Sequence, residues 1–243
     1  MPLLNAAISA LLQIAVLAGL PFLMYWIYQR WRHKRQFAEV VKRAGLQLGQ
    51  PRYLVYSLVF ALAGVVVLTL RSPPLEPLTR RGSAQHQFVG LGLGLSTFLL
   101  AFLYGAVQTA FAEELLFRGL IAGSLSRRLS FVWANLAQAS IFLLPHFAIL
   151  LVAPGTWVWG VLPVVFAGAL LFGWVRIKSG SILGSWLMHA SGNITMALLV
   201  AARTAPRGAA SARNAAYFRS NLFWCLIRYR ESRYSAGPSR IDP

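Results

Sequence analysis

The sequence predicts an all-α protein: a polytopic transmembrane helix bundle of about six spans, with a candidate interfacial helix near the C-terminus. Three observations carry this expectation. Of 243 residues, 57% are hydrophobic and only 12% are charged, whereas a soluble domain has about half apolar and about a quarter charged residues. The apolar residues fall into runs of roughly 20, the length a helix needs to cross ~30 Å of hydrocarbon. The basic residues lie in the short segments that flank those runs, as at anionic lipid surfaces. Mean hydropathy is +0.59. Alternating ten-residue strands of a barrel are not seen. Helices satisfy their own backbone groups, which hydrocarbon demands.

The expected spans are residues 3–28, 53–70, 88–112, 131–152, 156–175 and 182–201. The first differs from a signal peptide, because Met1-Pro2-Leu3-Leu4-Asn5 has no basic residue and the run is too long for an h-region. Its positive cluster follows instead: Arg30, Arg32, Lys34, Arg35, Lys42, Arg43 and Arg52. That pattern places the loop 29–52 in the cytoplasm and the N-terminus outside. Arg127, Arg128, Arg176 and Lys178 fall on the loop's side, and Arg71, Arg80 and Arg81 on the opposite one. The tail, 202–243, departs from the rule, since six spans put its arginines outside. An interfacial helix with Tyr217, Phe218, Phe223 and Trp224 on its apolar side accounts for part of it.

A net charge of +17 invites a nucleic-acid reading. The dispersal of that charge among span-flanking loops argues for lipid and against nucleic acid. Cys225 is the single cysteine, so an intrachain disulfide and a cysteine-built zinc site are excluded.

Six acids occur in the chain, and two of them, Glu113 and Glu114, are adjacent in Ala112-Glu113-Glu114-Leu115-Leu116-Phe117-Arg118. A carboxylate at membrane depth is costly and is a functional candidate by default. Glu114 and Arg118 are four apart, so one helix face presents both and they can pair. Glu113 is rotated by about 100° and has no basic partner in its own segment, which suits a group that takes and returns protons. The bland reading places both at the interface, solvated. Against it, the segment continues apolar through Leu115, Leu116, Phe117, Leu120 and Ile121.

His146 lies in the fourth expected span and His189 in the sixth, with Asn193 one turn after His189. Any one of these reads equally as an interhelical hydrogen bond. Together with the glutamates they form one candidate polar site. Glu113 and His146 could hold and deprotonate a water, and His189 and Asn193 could donate to a developing oxyanion. Alternatively, Glu113, His146 and His189 are candidate ligands for a divalent metal such as zinc. The soluble signature H-E-x-x-H is absent, and the residues leave metal use open.

The pattern E-E-x-x-x-R, F-x-x-x-H, H-x-x-x-N resembles that of the CAAX protease and bacteriocin-processing (CPBP, or ABI) family, which includes Rce1-type CAAX prenyl endopeptidases. Here it reads Glu113-Glu114-Leu115-Leu116-Phe117-Arg118, Phe142 to His146, and His189 to Asn193. The resemblance covers about residues 88–201, between N-terminal spans (1–87) and the basic tail (202–243). It implies an intramembrane endopeptidase. Glu113 and His146 would activate water, Glu114 and Arg118 support the site, and His189 and Asn193 stabilise the oxyanion. Substrates would be peptide or protein segments at the membrane: CAAX-like tails, leader peptides or sorting tails.

The competing class is a non-catalytic membrane protein, a proton-coupled carrier or a scaffold member of the same family. A carrier of this kind shows internal repeats with broken helices, and none is evident. Among weaker motifs, Gly119-x-x-x-Gly123 and Gly180-x-x-x-Gly184 suit close helix packing. Gly90-x-Gly92-x-Gly94 is expected inside an apolar helix, without the βαβ context of a dinucleotide loop. His189-Ala190-Ser191-Gly192 lacks the glycine two before the serine of a rhomboid-type site.

Overall fold

The computed structural model describes residues 2–71, 73–148 and 158–206, nearly all within one compact unit, Met1–Thr204. Every regular element among them is helical. Helix α1 (Pro2–Ile14) runs through a π turn, Ala15–Gly19, into α2 (Leu20–His33). The short α3 (Phe37–Arg43) follows, then α4 (Pro51–Arg71) and α5 (Leu75–Thr79). A continuous helix, Leu95–Leu125, comprises α6 (Leu95–Phe102), two π stretches (Leu103–Phe111 and Glu114–Ala122) and α7 (Gly123–Leu125). The bundle is completed by α8 (Phe131–His146), α9 (Val158–Ser179) and α10 (Leu183–Arg203).

Four of these helices are long and apolar enough to cross a membrane: Leu4–His33, Pro51–Arg71, Leu95–Leu125 and Trp159–Ser179. Their outer faces stay apolar and uncovered, as with Leu11, Leu12, Leu62 and Leu70. That distribution suits a solvent of hydrocarbon chains. With the family resemblance, it makes the chain an integral membrane protein. Helix α10 lies inside, packed against α4, α6, α9 and the first π stretch. An interior position explains why α10 tolerates Ser185, His189, Ser191 and Asn193 along an otherwise apolar helix.

The third span departs from expectation at both ends. Its helix starts at Leu95 rather than near residue 88, because Gly90 and Gly92 take positive φ values of 78° and 64° and break the helix there. The glycine triplet is therefore a connector ahead of the helix, not part of it. At the other end the helix passes the glutamates and continues to Leu125. Pairing of the charges lets the helix go on where composition suggested a stop. Both glutamates thus sit well inside a 31-residue helix. The fourth span forms a helix only to His146, and the remainder of it reaches outside the described residues. The proposed interfacial helix around Tyr217 to Trp224 also lies outside them.

Close approach depends on a few glycines. A Cβ at Gly119 would stand 2.8 Å from the Ala44 carbonyl oxygen, and one at Gly123 3.3 Å from that of Arg43. The Gly119-x-x-x-Gly123 pair therefore seats the end of α3 against the Leu95–Leu125 helix. Gly184 admits Ser57 of α4 and Val175 of α9 in the same way. Between α8 and α9, Gln138 Nε2 donates to Ala169 O at 2.8 Å and Asn135 Nδ2 to Leu170 O at 3.0 Å, over Gly173. Buried amides spanning two helices are worth up to about 1–2 kcal/mol each in a membrane protein.

Candidate active site

The site grows from the Leu95–Leu125 helix. Ala112 and Glu113 are a short seam between its two π stretches, each nine residues long. π segments are rare, mostly single turns, and frequent at functional sites. Here they bracket the two adjacent carboxylates.

Glu114 and Arg118 are both fully buried, with Arg118 Nη1 3.1 Å from Glu114 Oε1. The ion pair implied by the four-residue spacing is present. Isolated in such a setting, either charge would cost several kcal/mol. Further contacts offset that cost. The Arg118 guanidinium lies 4.1 Å from the Phe142 ring centre and 5.2 Å from that of Phe172. A cation between ring faces gains electrostatically, most when desolvated. His189 Nδ1 lies 2.9 Å from the same Glu114 Oε1.

That last contact fixes a tautomer. A carboxylate only accepts, so His189 carries its hydrogen on Nδ1 and donates it. The other nitrogen, Nε2, faces Glu113 with 3.9 Å to Oε2. Glu113 and His189 are part-exposed, with 20% and 13% of their side-chain surface open. The chain of contacts runs Arg118, Glu114, His189, Glu113. It leads from a sealed ion pair to a reachable carboxylate.

Helix α10 supplies His189 as the middle of a stripe with four-residue spacing, Ser185, His189 and Asn193. The Ser185 hydroxyl sits beside Glu114 and donates to Ile182 O at 3.0 Å. Gly105 lets the stripe approach, since a Cβ there would be 3.2 Å from Asn193 Cβ and 2.9 Å from Ile194. Trp186 Nε1 donates to Ala106 O at 2.8 Å and locks the same helix pair.

Glu113, Glu114, Arg118 and His189 are therefore in mutual reach. His146 joins through an aromatic wall: its ring centre is 4.6 Å from that of Phe142, which is 6.4 Å from His189. Its Nδ1 pairs with the Phe142 carbonyl at 2.9 Å, so that nitrogen is the donor. An imidazole facing Glu113 is that of His189, 3.9 Å away. Asn193 is a turn along α10, and its Nδ2 is buried without a hydrogen-bond partner among the described residues. Glu114 Oε2 and Arg118 Nε and Nη2 are likewise unpartnered.

Two contributors escaped sequence reasoning. Phe172 follows from nothing local, because α9 brings it over Arg118 only in three dimensions. Ser185 had a visible signal, the same spacing that links His189 to Asn193. As for a metal, among the described residues no three His, Cys, Asp or Glu side chains gather as a ligand set.

No curated protein and no solved structure matches the chain significantly. One family model does match, that of Rce1-like proteins, described as type II CAAX prenyl endopeptidase Rce1-like, over residues 95–195. The matched stretch begins with the helix that carries the glutamates and contains all six candidate site residues. Over residues 95–195 the chain is thus similar to the Rce1-like family.

Proposed function

We propose that the chain is an intramembrane endopeptidase which hydrolyses a peptide bond of a membrane-associated substrate with water activated by Glu113. The carrying observation is Glu113 placed 3.9 Å from His189, an imidazole whose other nitrogen is bound by the buried Glu114–Arg118 pair. The match to the Rce1-like family model supports peptidase chemistry.

With Nδ1 protonated, His189 Nε2 and Glu113 Oε2 are both acceptors. One water donating to both, with hydrogen bonds of about 2.8 Å, would subtend roughly 90° at its oxygen. A water so held presents its lone pairs away from both groups, toward a bound carbonyl. Glu113 takes a proton as the oxygen attacks, then returns it to the leaving amine. Glu114 and Arg118 act through His189, holding its tautomer and orientation. Asn193 Nδ2 is the candidate oxyanion donor, and His146 offers an uncommitted Nε2 as a second proton acceptor beside Phe142.

Among the substrates considered, CAAX-like tails are favoured over leader peptides and sorting tails by the family description. The test is to purify the full chain in detergent and incubate it with a lipidated peptide bearing a CAAX-like tail. Mass spectrometry should show one internal cut. Intact lipidated CAAX-like peptide, alongside intact leader and sorting-tail peptides, would refute endopeptidase activity on all three classes.

A further inference from the structure

Away from the glutamates, one end of the bundle collects more positive charge than its acids can balance. Two guanidiniums and a backbone carbonyl from three segments meet at Gly123, where a Cβ would stand 2.9 Å from Arg176 Nη2, 3.5 Å from Arg127 Nη1 and 3.3 Å from the Arg43 carbonyl oxygen. Arg176 Nη2 donates to that carbonyl at 2.9 Å, and Gly45, with φ of 79°, lies against the Arg176 guanidinium. Arg127 Nη2 donates to the Tyr25 hydroxyl at 2.9 Å. Among the described residues, the carboxylate paired here is Glu39, 2.6 Å from Arg35 and 4.0 Å from Arg43.

Several donors here have nothing to bind. Arg176 is 6% exposed, yet its Nε has no hydrogen-bond partner among the described residues, and neither do the buried Nε atoms of Arg35 and Arg43. A guanidinium offers five N–H donors and no acceptor, so mutual contact among arginines satisfies none of them. Partial burial, then the Arg43, Arg35 and Arg128 charges, disfavour the charged form of Arg127, while Tyr25 favours it. An anion with several oxygens would relieve both the repulsion and the unused donors. Arginine's planar fork suits phosphate oxygens in particular.

We propose that Arg35, Arg43, Arg127 and Arg176 form a binding site for a phosphate-bearing anion. The setting favours the headgroup of an anionic lipid, because the site lies where α2, α9 and the Leu95–Leu125 helix all end. Basic recesses between spanning helices bind such headgroups. Free phosphate shares the chemistry, and the experiment separates the two sources.

The full chain, purified in detergent, is titrated with phosphatidylglycerol, phosphatidylcholine or inorganic phosphate. Retained lipid is read by native mass spectrometry, and Tm by thermal unfolding. Phosphatidylglycerol should be retained and should raise Tm, and phosphatidylcholine should do neither. Arg127→Gln should weaken retention about tenfold, the loss expected for one hydrogen bond to a charged group. Arg35→Gln is a second variant should Arg127→Gln fold poorly. Arg71→Gln removes the same charge at the far end of α4, roughly 30 Å away, and should bind as the parent does. An equal shift from inorganic phosphate supports the site and assigns it to the soluble anion. Equal retention of both lipids, or equal weakening by Arg71→Gln, would overturn the proposal.

Discussion

His189 sits between the two glutamates, with Nδ1 2.9 Å from Glu114 Oε1 and Nε2 3.9 Å from Glu113 Oε2. Two adjacent residues of one helix thus meet the two nitrogens of one ring on another. The arrangement gives neighbours in sequence separate tasks: Glu114 is spent on holding Arg118 and His189, and Glu113 faces open space.

Glu114→Gln should fail through stability. The substitution leaves Arg118 as a fully buried cation without its paired carboxylate. Removing one member of a buried pair costs about 3–5 kcal/mol. A lowered Tm and reduced abundance in the membrane fraction are expected, with activity lost alongside. A Tm equal to that of the parent would show that Arg118 does not depend on Glu114.

Gly173→Ala tests the α8–α9 seam. A Cβ there would overlap Asn135 Oδ1 and Gln138 Nε2, the side chains that bond across to α9. Overpacking of this kind costs about 1–3 kcal/mol. Tm should fall, whereas Gly168→Ala on the same helix, where nothing lies within 4 Å of a Cβ, should leave Tm unchanged. Equal Tm values for both variants would contradict the packing described.

Topology has a direct check. The loop 29–52 is expected in the cytoplasm from its basic residues. With Cys225, the native cysteine, replaced by serine, a cysteine introduced at Gln36 should resist an impermeant reagent in intact cells and react after permeabilisation. Ready labelling in intact cells would invert the orientation.

Much of the site was legible because its signals are local. The four-residue spacings of Glu114 with Arg118, and of His189 with Asn193, are read directly from helical periodicity. Rarity made the acids conspicuous: Glu113 and Glu114 are two of six in the chain. What escaped was tertiary. Arg118 between Phe142 and Phe172, and His189 beside Glu113, depend on how α8, α9 and α10 pack. The third span was misjudged for a related reason. An apolar run counts Phe88 to Gly94 as helix and stops at the charges. The backbone breaks at Gly90 and Gly92, and the paired charges let the helix run on to Leu125.

Glu113→Gln bears most directly on the central claim. The amide keeps the size of the side chain and cannot take a proton. Glu113 lies outside the sealed ion pair, so the variant should keep the parent's Tm and abundance. Loss of a general base costs about 10² to 10⁴ in rate, and more where groups act as one unit. The measurement is the cleavage rate of the lipidated CAAX-like peptide by parent and variant, purified side by side with matched Tm. A fall of at least about a hundredfold is the predicted result. Undiminished cleavage by Glu113→Gln would contradict the mechanism, however well the segment matches its family.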